Sequence, residues 1–403
     1  MLKLFLSSIY LHVNISIIQT PALSSIKKIC IFPNDPLLSY FSKGEIKFGY
    51  FNPLNYFDEV HVISLFDEEI DEKKVKELAG NAILKIHKIG KANLSNYKKF
   101  EDKILDELID IKPSLIRAYN PLVQGWLAVK SAKKLKIPVV ISVHTNYEQQ
   151  RRLLKKEKKI LSYFKLQYTG RKIEKYVLRE SDAIICVYKY IVPYVKKMGG
   201  KKIHVIYNRV SLENFSPLIG KKIKSDKPII ISVGRFIEQK NQMYLLQAIK
   251  DIDAKLLLIG DGPNFHILNK FIQENQIENK VEIIKSVPNK ELGGYYTSCY
   301  IYAQVLENLG GIPIPVLEAM ACGLPVVMSK HDSTFSEIID DAVLFVNNSG
   351  ENFKEAFMRI LSNPQLKNEL KNKSLETIHK IDVGKMEKKE FELYANLLKP
   401  EKK

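Results

Sequence analysis

The feature that most constrains this chain is a series of short apolar runs, rich in β-branched residues, with helically spaced segments between them. In the first half the runs are KKICIFP, VHVIS, LIRAY, VVISV, AIICV and HVIYN. In the second half they are IIISVG, KLLLIGDG, VEIIKS, YIYAQV, PVVMS and AVLFV. Their apolarity is continuous rather than alternating, which suits strands covered on both faces, and such strands belong to parallel sheets flanked by helices. The intervening NQMYLLQAIKDI and ENFKEAFMRILSN carry the period of amphipathic helices. Six strands in each half predict two doubly wound α/β domains, since 403 residues exceed what one ordinary core accommodates. Apolar periodicity lapses across RVSLENFSPLIGKKIKSDKP, which puts the join just ahead of Ile229. Ligands of such sheets bind beyond the carboxyl ends of the strands, so the expected site is the cleft where the two domains face each other.

Composition narrows the partners. The four cysteines, Cys30, Cys186, Cys299 and Cys322, are scattered in apolar contexts without a CxxC pair, and the eight histidines lack metal spacing. Reduced, buried thiols in a cytoplasmic protein are the expectation. The net charge of +17 is concentrated: residues 130–180 hold fifteen Lys/Arg against four Asp/Glu. Nucleic acid, an acidic membrane surface or a phosphorylated substrate would each suit such a charge, but no nucleic-acid recognition motif is present and no nucleic acid is expected. Residues 1–26 resemble a weak signal peptide interrupted by His12 and Asn14. An extra element or an overextended start is the reading favoured for them.

One stretch, ENLGGIPIPVLEAMACGLPVV, sets two glycines and two prolines ahead of a short apolar helix. Pro315 suits a first helical turn and Gly323 a helix end. Gly310 and Gly311 let a ligand approach the backbone, where free amides and the helix dipole favour an anion by about 1–2 kcal/mol. Glu318 lies within that helix among apolar neighbours, so it is expected to be buried and to need donors such as sugar hydroxyls. In ISVGRFIEQKN a strand ends at Gly234, and Arg235 and Lys240 follow in the loop, two cations able to neutralise a diphosphate. The Gly-Asp-Gly after KLLLI lacks the spacing of a dinucleotide fingerprint.

Together VGRFIEQKN, LLLIGDGP, VEIIKSVPNKELGGYYTSCYIYAQV, PVLEAMACGLPVV and VIYNRVSLENFSP resemble the retaining glycosyltransferases of group 1 (family 4), which have the GT-B fold. The second half matches almost throughout; the first matches more loosely, through IPVVISVHT and ESDAIICVY. The resemblance implies a nucleotide diphosphate sugar donor, an acceptor on a glycan, lipid-linked molecule or small molecule, and no metal or other cofactor. It implies a first domain over 27–215 that binds acceptor, a donor domain over 216–385, and a C-terminal helix over 386–403 crossing back to the first. Arg235 and Lys240 look like the family's diphosphate pair, and Glu318 like the second glutamate of its Glu–seven residues–Glu motif. Gly234, Val287, Gly310, Gly311 and Ile312 would complete the donor site, the loop at Ser286–Val287 holding the base. His144 occupies the position of the family's active-site histidine.

Two departures stand out. The first glutamate of the motif falls on Gly310, so either Glu307 reaches in from a rearranged loop or the backbone of Gly310 to Ile312 handles the sugar. The family's Asn-Gly-Val at the join is Asn208-Arg209-Val210 here. In the first domain, SKGEIKFGYFNP stands where paired glycines are expected, with Lys43, Gly44 and Glu45 on the acceptor side. The basic stretch over 148–180, with Leu, Ile, Phe and Tyr interleaved, is helical in pattern and suits either an anionic membrane surface or a solvated helix of a Lys-rich chain; the first would add a peripheral position on the inner face of the membrane to the cytoplasmic expectation. A sugar-nucleotide epimerase, a phosphorylase or a non-catalytic sugar-nucleotide binder are the alternatives of the same architecture.

Overall fold

The computed structural model describes residues 26–42, 46–307, 311–330 and 337–399. The expectations for residues 1–25, Lys43, Gly44, Glu45 and Gly310 lie outside the described residues.

The first sheet is built from β1 (Lys28–Phe32), β2 (Glu59–Ser64), β3 (Ile83–Lys88), β4 (Leu115–Ala118), β5 (Val139–Val143), β6 (Ala183–Cys186) and β7 (Ile203–Val205). Their order is β3-β2-β1-β4-β5-β6-β7, all parallel. The second contains β8 (Ile229–Val233), β9 (Lys255–Ile259), β10 (Val281–Ile284), β11 (Ile301–Gln304), β12 (Val326–Ser329) and β13 (Val343–Val346), in the order β10-β9-β8-β11-β12-β13, again all parallel. All twelve apolar runs form strands. A seventh strand joins the first sheet, β3, which the apolar-run criterion misses: it is an edge strand, and Lys85 and His87 on its half-covered face break the continuous apolarity of the central strands.

One continuous core covers both faces of the first sheet and one face of the second, running from Ile31 and Val143 to Ile231 and Tyr302. The other face of the second sheet is closed by Leu246, Phe353 and Phe357 packed on Leu258 and Val327. The last helix, Val383–Leu397, starts where Asp382 accepts from the Lys385 amide, an ordinary N-cap. It is set against the first domain: half-buried Phe391 meets Tyr56 edge-on with centroids 4.9 Å apart, and buried Tyr394 meets Phe57 at 5.9 Å. Two doubly wound Rossmann-like domains facing each other across a cleft is the GT-B arrangement.

Candidate active site

In each sheet the chain order reverses once, and the loops at the carboxyl ends beside that reversal form the natural ligand crevice. In the second sheet it falls between β8 and β11. After β8 the chain turns at Gly234, whose φ of 150° disfavours a side chain. A Cβ there would also lie 2.7 Å from the Lys240 ammonium, so the bare glycine is what gives Lys240 its place. The glycines after β9 have a packing role: a Cβ on Gly260 would come within 2.1 Å of the Gly234 carbonyl oxygen. The two loops therefore touch backbone to backbone, joined further by the Phe236 amide donating to the Asp261 carbonyl at 2.9 Å. Arg235 stands in the loop so fixed, its side chain exposed. Burial, and then the neighbouring Arg235 charge, lower the Lys240 ammonium to about 8.

The loop after β11 is stitched to that cationic loop by Glu307. Its amide donates to the Gln239 carbonyl at 2.8 Å, and its carboxylate accepts from Asn241 Nδ2 and Asn348 Nδ2, each at 3.1 Å. Both carboxylate oxygens thus hold loops together. Downstream, Gly311 takes φ 109°, and a Cβ there would press on the Tyr188 ring of the first domain at 3.3 Å. The Ile312 carbonyl accepts from the Tyr188 hydroxyl at 2.8 Å, and Asn208 Nδ2 donates to that hydroxyl at 2.7 Å. This turn is thus tied to the opposite domain. Glu337 adds a second tie, accepting from the Tyr190 amide at 2.8 Å and the Tyr207 hydroxyl at 3.1 Å.

The helix Ile314–Ala321 has Pro315 in its first turn and ends where the Gly323 amide donates to the Met320 carbonyl, with Gly323 at φ 77°. Glu318 is 4 % exposed, buried as its apolar neighbours predict. Its oxygens accept from Asn289 Nδ2 and from the Tyr296 hydroxyl, each at 3.1 Å. Val287 is half-buried in the loop after β10, against the core. Motif reading does not reach the supporting residues Asn241, Asn289, Tyr296 and Asn348. Their signal is positional: amides and a phenol gather at strand ends around the two carboxylates.

Across the cleft, His144 directly follows β5. Its ring stacks on Tyr119 with centroids 6.1 Å apart, and Nε2 is covered and has no hydrogen-bond partner. Burial, then the nearby Arg117 charge, lower its pKa to about 4, so the imidazole is neutral near pH 7. The cleft of about 660 Å³ is lined by Lys47, Arg117, His144 and Arg209 from one side and by Asn289, Ile314 and Glu318 from the other. Arg209, the departure at the join, ion-pairs with Glu387 at 2.5 Å and Glu390 at 3.0 Å on the last helix. Arg117 also pairs with Glu390 and bonds the Tyr394 hydroxyl. The added cation therefore fastens the join to the crossing helix.

A model of the glycosyl transferases group 1 matches residues 219–377, and one of glycosyltransferase family 4 matches residues 58–214. The chain belongs to the group 1, family 4 glycosyltransferases. This glycosyltransferase is 28% identical over 279 residues to an uncharacterized glycosyltransferase of Methanocaldococcus jannaschii, covering 69% of this chain and 72% of that one. It is 23% identical to the alpha-monoglucosyldiacylglycerol synthase of Acholeplasma laidlawii, over 66% of this chain and 71% of the other. Among solved structures it overlays HepE of Anabaena in complex with UDP with a TM-score of 0.70 at 13% identity, over 92% of this chain and all of that one, a likeness of fold.

Proposed function

We propose that this glycosyltransferase moves a sugar, of hexosyl type, from a nucleotide diphosphate sugar to an acceptor hydroxyl on a glycan or lipid-linked molecule, with retention of anomeric configuration and without a metal. The observation that carries the reading is the coupling of two loops at the β8/β11 reversal: Lys240, desolvated beside Gly234 and Arg235, is bound through Glu307 to the segment entering the glycine-rich turn. A desolvated cation beside a second cation is a costly arrangement without an anion, and a diphosphate supplies one. UDP in the HepE structure fits a donor of this class, and the diacylglycerol-glucosylating relative fits an acceptor at a lipid surface.

The chemistry follows from charge. As the sugar–phosphate bond breaks, the sugar becomes oxocarbenium-like and negative charge builds on the leaving diphosphate. Arg235, Lys240 and the amides at the start of the helix Ile314–Ala321 stabilise that charge in place, which is the electrostatic share of catalysis. The acceptor hydroxyl enters on the face the phosphate leaves and passes its proton to a departing phosphate oxygen. Glu318 takes ribose hydroxyls, and the segment around Val287 holds the base. Neutral His144 lines the sugar's side of the cleft from the first domain. Gly311 and Ile312, bonded to Tyr188, line the sugar's side of the turn, while Lys43, Gly44 and Glu45 belong to the acceptor side. With no membrane-crossing helix among the described residues, the reading places the enzyme in the cytoplasm, peripheral on the inner face of the membrane.

The test is a thermal-shift panel of UDP-, GDP- and ADP-sugars on the pure protein, followed by product analysis with the stabilising donor. One donor should raise Tm, since a ligand at one hundred times its Kd adds about 2.7 kcal/mol. NMR of the product should show the donor's anomeric configuration. Inverted product, a requirement for added divalent metal, or donor consumption without transfer to a hydroxyl would overturn the corresponding part of the reading.

A further inference from the structure

The basic stretch over 148–180 folds as two helices, Tyr147–Lys156 and Ile160–Thr169, followed by a π-helical turn, Gly170–Glu174, and the helix Lys175–Glu180. The second of these helices does something unusual for a segment so rich in lysine: it turns its largest apolar side chains outward. Ile160 is 62% exposed, Leu161 80%, Phe164 64% and Tyr168 45%. At 100° per residue these four fall within an arc of about 100°, one unbroken stripe along a single face. The other strongly exposed apolar residues are dispersed through the sequence, from Ile26 to Met358. Scattered single residues of that kind need no partner, whereas a contiguous stripe does.

The stripe stands on a rigid base. Beneath it Arg151 and Glu174 form a buried ion pair at 3.0 Å, and Glu174 also accepts from the hydroxyls of Thr169 and Tyr194. Arg151 donates to the Leu166 carbonyl at 3.0 Å, fastening the middle of the exposed helix. Gly170 passes so close to the guanidinium that a Cβ would lie 2.9 Å from it. The outward face is thus a built surface, and its exposure does not come from a poorly packed segment.

Cations surround the stripe. Lys155, Lys156, Lys158 and Lys159 lead into the helix, all exposed, with Glu157 as the only acid among them. Lys165 flanks the stripe on one side. On the other, Tyr163 and Gln167 face a small cleft that also presents Arg152, Lys155 and Lys197. Glu148 in that cleft is matched by Arg152 at 3.2 Å and Lys197 at 2.7 Å, and this neighbouring charge lowers its carboxyl, so the cleft stays cationic.

We infer that the Ile160–Tyr168 face inserts into the interfacial layer of an anionic bilayer, with the surrounding lysines and arginines on the lipid phosphates. Apolar side chains bordered by a dense band of long basic ones are what a helix lying in that interface requires. A protein partner would have to match the stripe and the cationic rim together. A bilayer supplies hydrocarbon and negative charge in that layering over any area, and each basic group near its surface adds to the attraction. The inference rests on the peripheral position proposed above and names the surface that makes it, and it does not depend on which donor binds.

The experiment is cosedimentation of the full chain with vesicles of phosphatidylcholine containing 30 mol% phosphatidylglycerol, and with pure phosphatidylcholine, at 50 and 500 mM NaCl. Wild type should bind the anionic vesicles at low salt at least tenfold more tightly than the neutral ones, and lose most of that binding at high salt. Leu161→Ser with Phe164→Ser should weaken binding at least tenfold. Its Tm and its donor thermal shift should be unchanged, because both side chains already face water. Lys155→Gln with Lys156→Gln and Lys158→Gln should remove the preference for anionic vesicles. Absence of binding at low salt, binding unaffected by the serine pair, or a serine-sensitive dimer in light scattering without vesicle binding would each overturn the inference, the last naming a second copy of the chain as occupant. The unchanged donor shift separates its failure from failure of the transferase assignment.

Discussion

Replacing Lys240 with Met should raise or preserve stability while greatly reducing catalysis, two effects of opposite sign from one charge. Methionine keeps the length of the side chain and removes the ammonium. In the folded protein that ammonium is lowered from 10.5 to about 8, first by burial and then by Arg235. A difference of that size corresponds to about 3 kcal/mol disfavouring the charged form. The unfolded chain therefore binds more protons than the folded one between about pH 8 and 10.5, and wild-type stability should rise with pH across that window. The Met variant should lack that rise. At neutral pH it should unfold at the same or higher denaturant concentration than wild type. Its kcat/KM, measured by release of nucleoside diphosphate from the stabilising donor, should drop by about 10²–10³, the effect of one charge-stabilising donor at a developing anion. The wild-type enzyme should show the same dependence without mutation: kcat/KM should decline as pH rises through about 8. The bound diphosphate favours protonated Lys240, so kcat should hold to higher pH. Near-normal kcat/KM in the Met variant, or a loss of activity matched by an equal loss of fold, would refute the reasoning.

Glu307→Ala should lower kcat/KM by about tenfold or more with a smaller effect on melting, since it releases Asn241, Asn348 and the Tyr244 hydroxyl while removing no apolar core side chain; unchanged kinetics would show that the two loops do not need the tie. Arg209→Met leaves Glu387 and Glu390 without that partner in a buried setting and should cost about 3–5 kcal/mol in denaturant unfolding. Adding Glu387→Gln should recover part of it. His144→Gln should retain more turnover than His144→Ala, and wild-type kcat/KM should show no inflection between pH 5 and 8 from this residue, because it titrates at about 4. A titration near 6.5 that disappears in His144→Gln would contradict its burial.

The double-wound fold was legible because buried parallel strands need no polar face, and twelve such runs are hard to fold any other way. What escaped is instructive. β3 lies at a sheet edge, where Lys85 and His87 reach solvent or partners, and edge strands lose the continuous apolar signature. Arg235, Lys240 and Glu318 could be singled out because charge beside glycine, or within an apolar helix, violates local expectation. Their supports could not. Asn241, Asn289, Asn348 and Tyr296 are unremarkable in sequence, and only the topology that puts β8, β10, β11 and β13 loops at one end of the sheet brings them together. Arg209 was visible as an oddity, but its partners are more than 170 residues further along.

The polar groups around the site follow a rule that the individual contacts conceal. The donors that hold Glu307 and Glu318, the acids nearest the two loops, include three asparagine amides and the Tyr244 and Tyr296 hydroxyls. None of these contacts draws on Lys240 or Arg235. The acids at the join behave in the opposite way, since Glu387 and Glu390 are matched by Arg209 and Arg117. Neutral clamps order the carboxylates without drawing on Lys240 or Arg235, which leaves that charge for an anionic donor under the proposed function. A site whose positive charge served stability alone would have neutralised it internally, as the join does. Under the proposed function, that open charge is what would receive the anionic part of the donor, beside the end of β8.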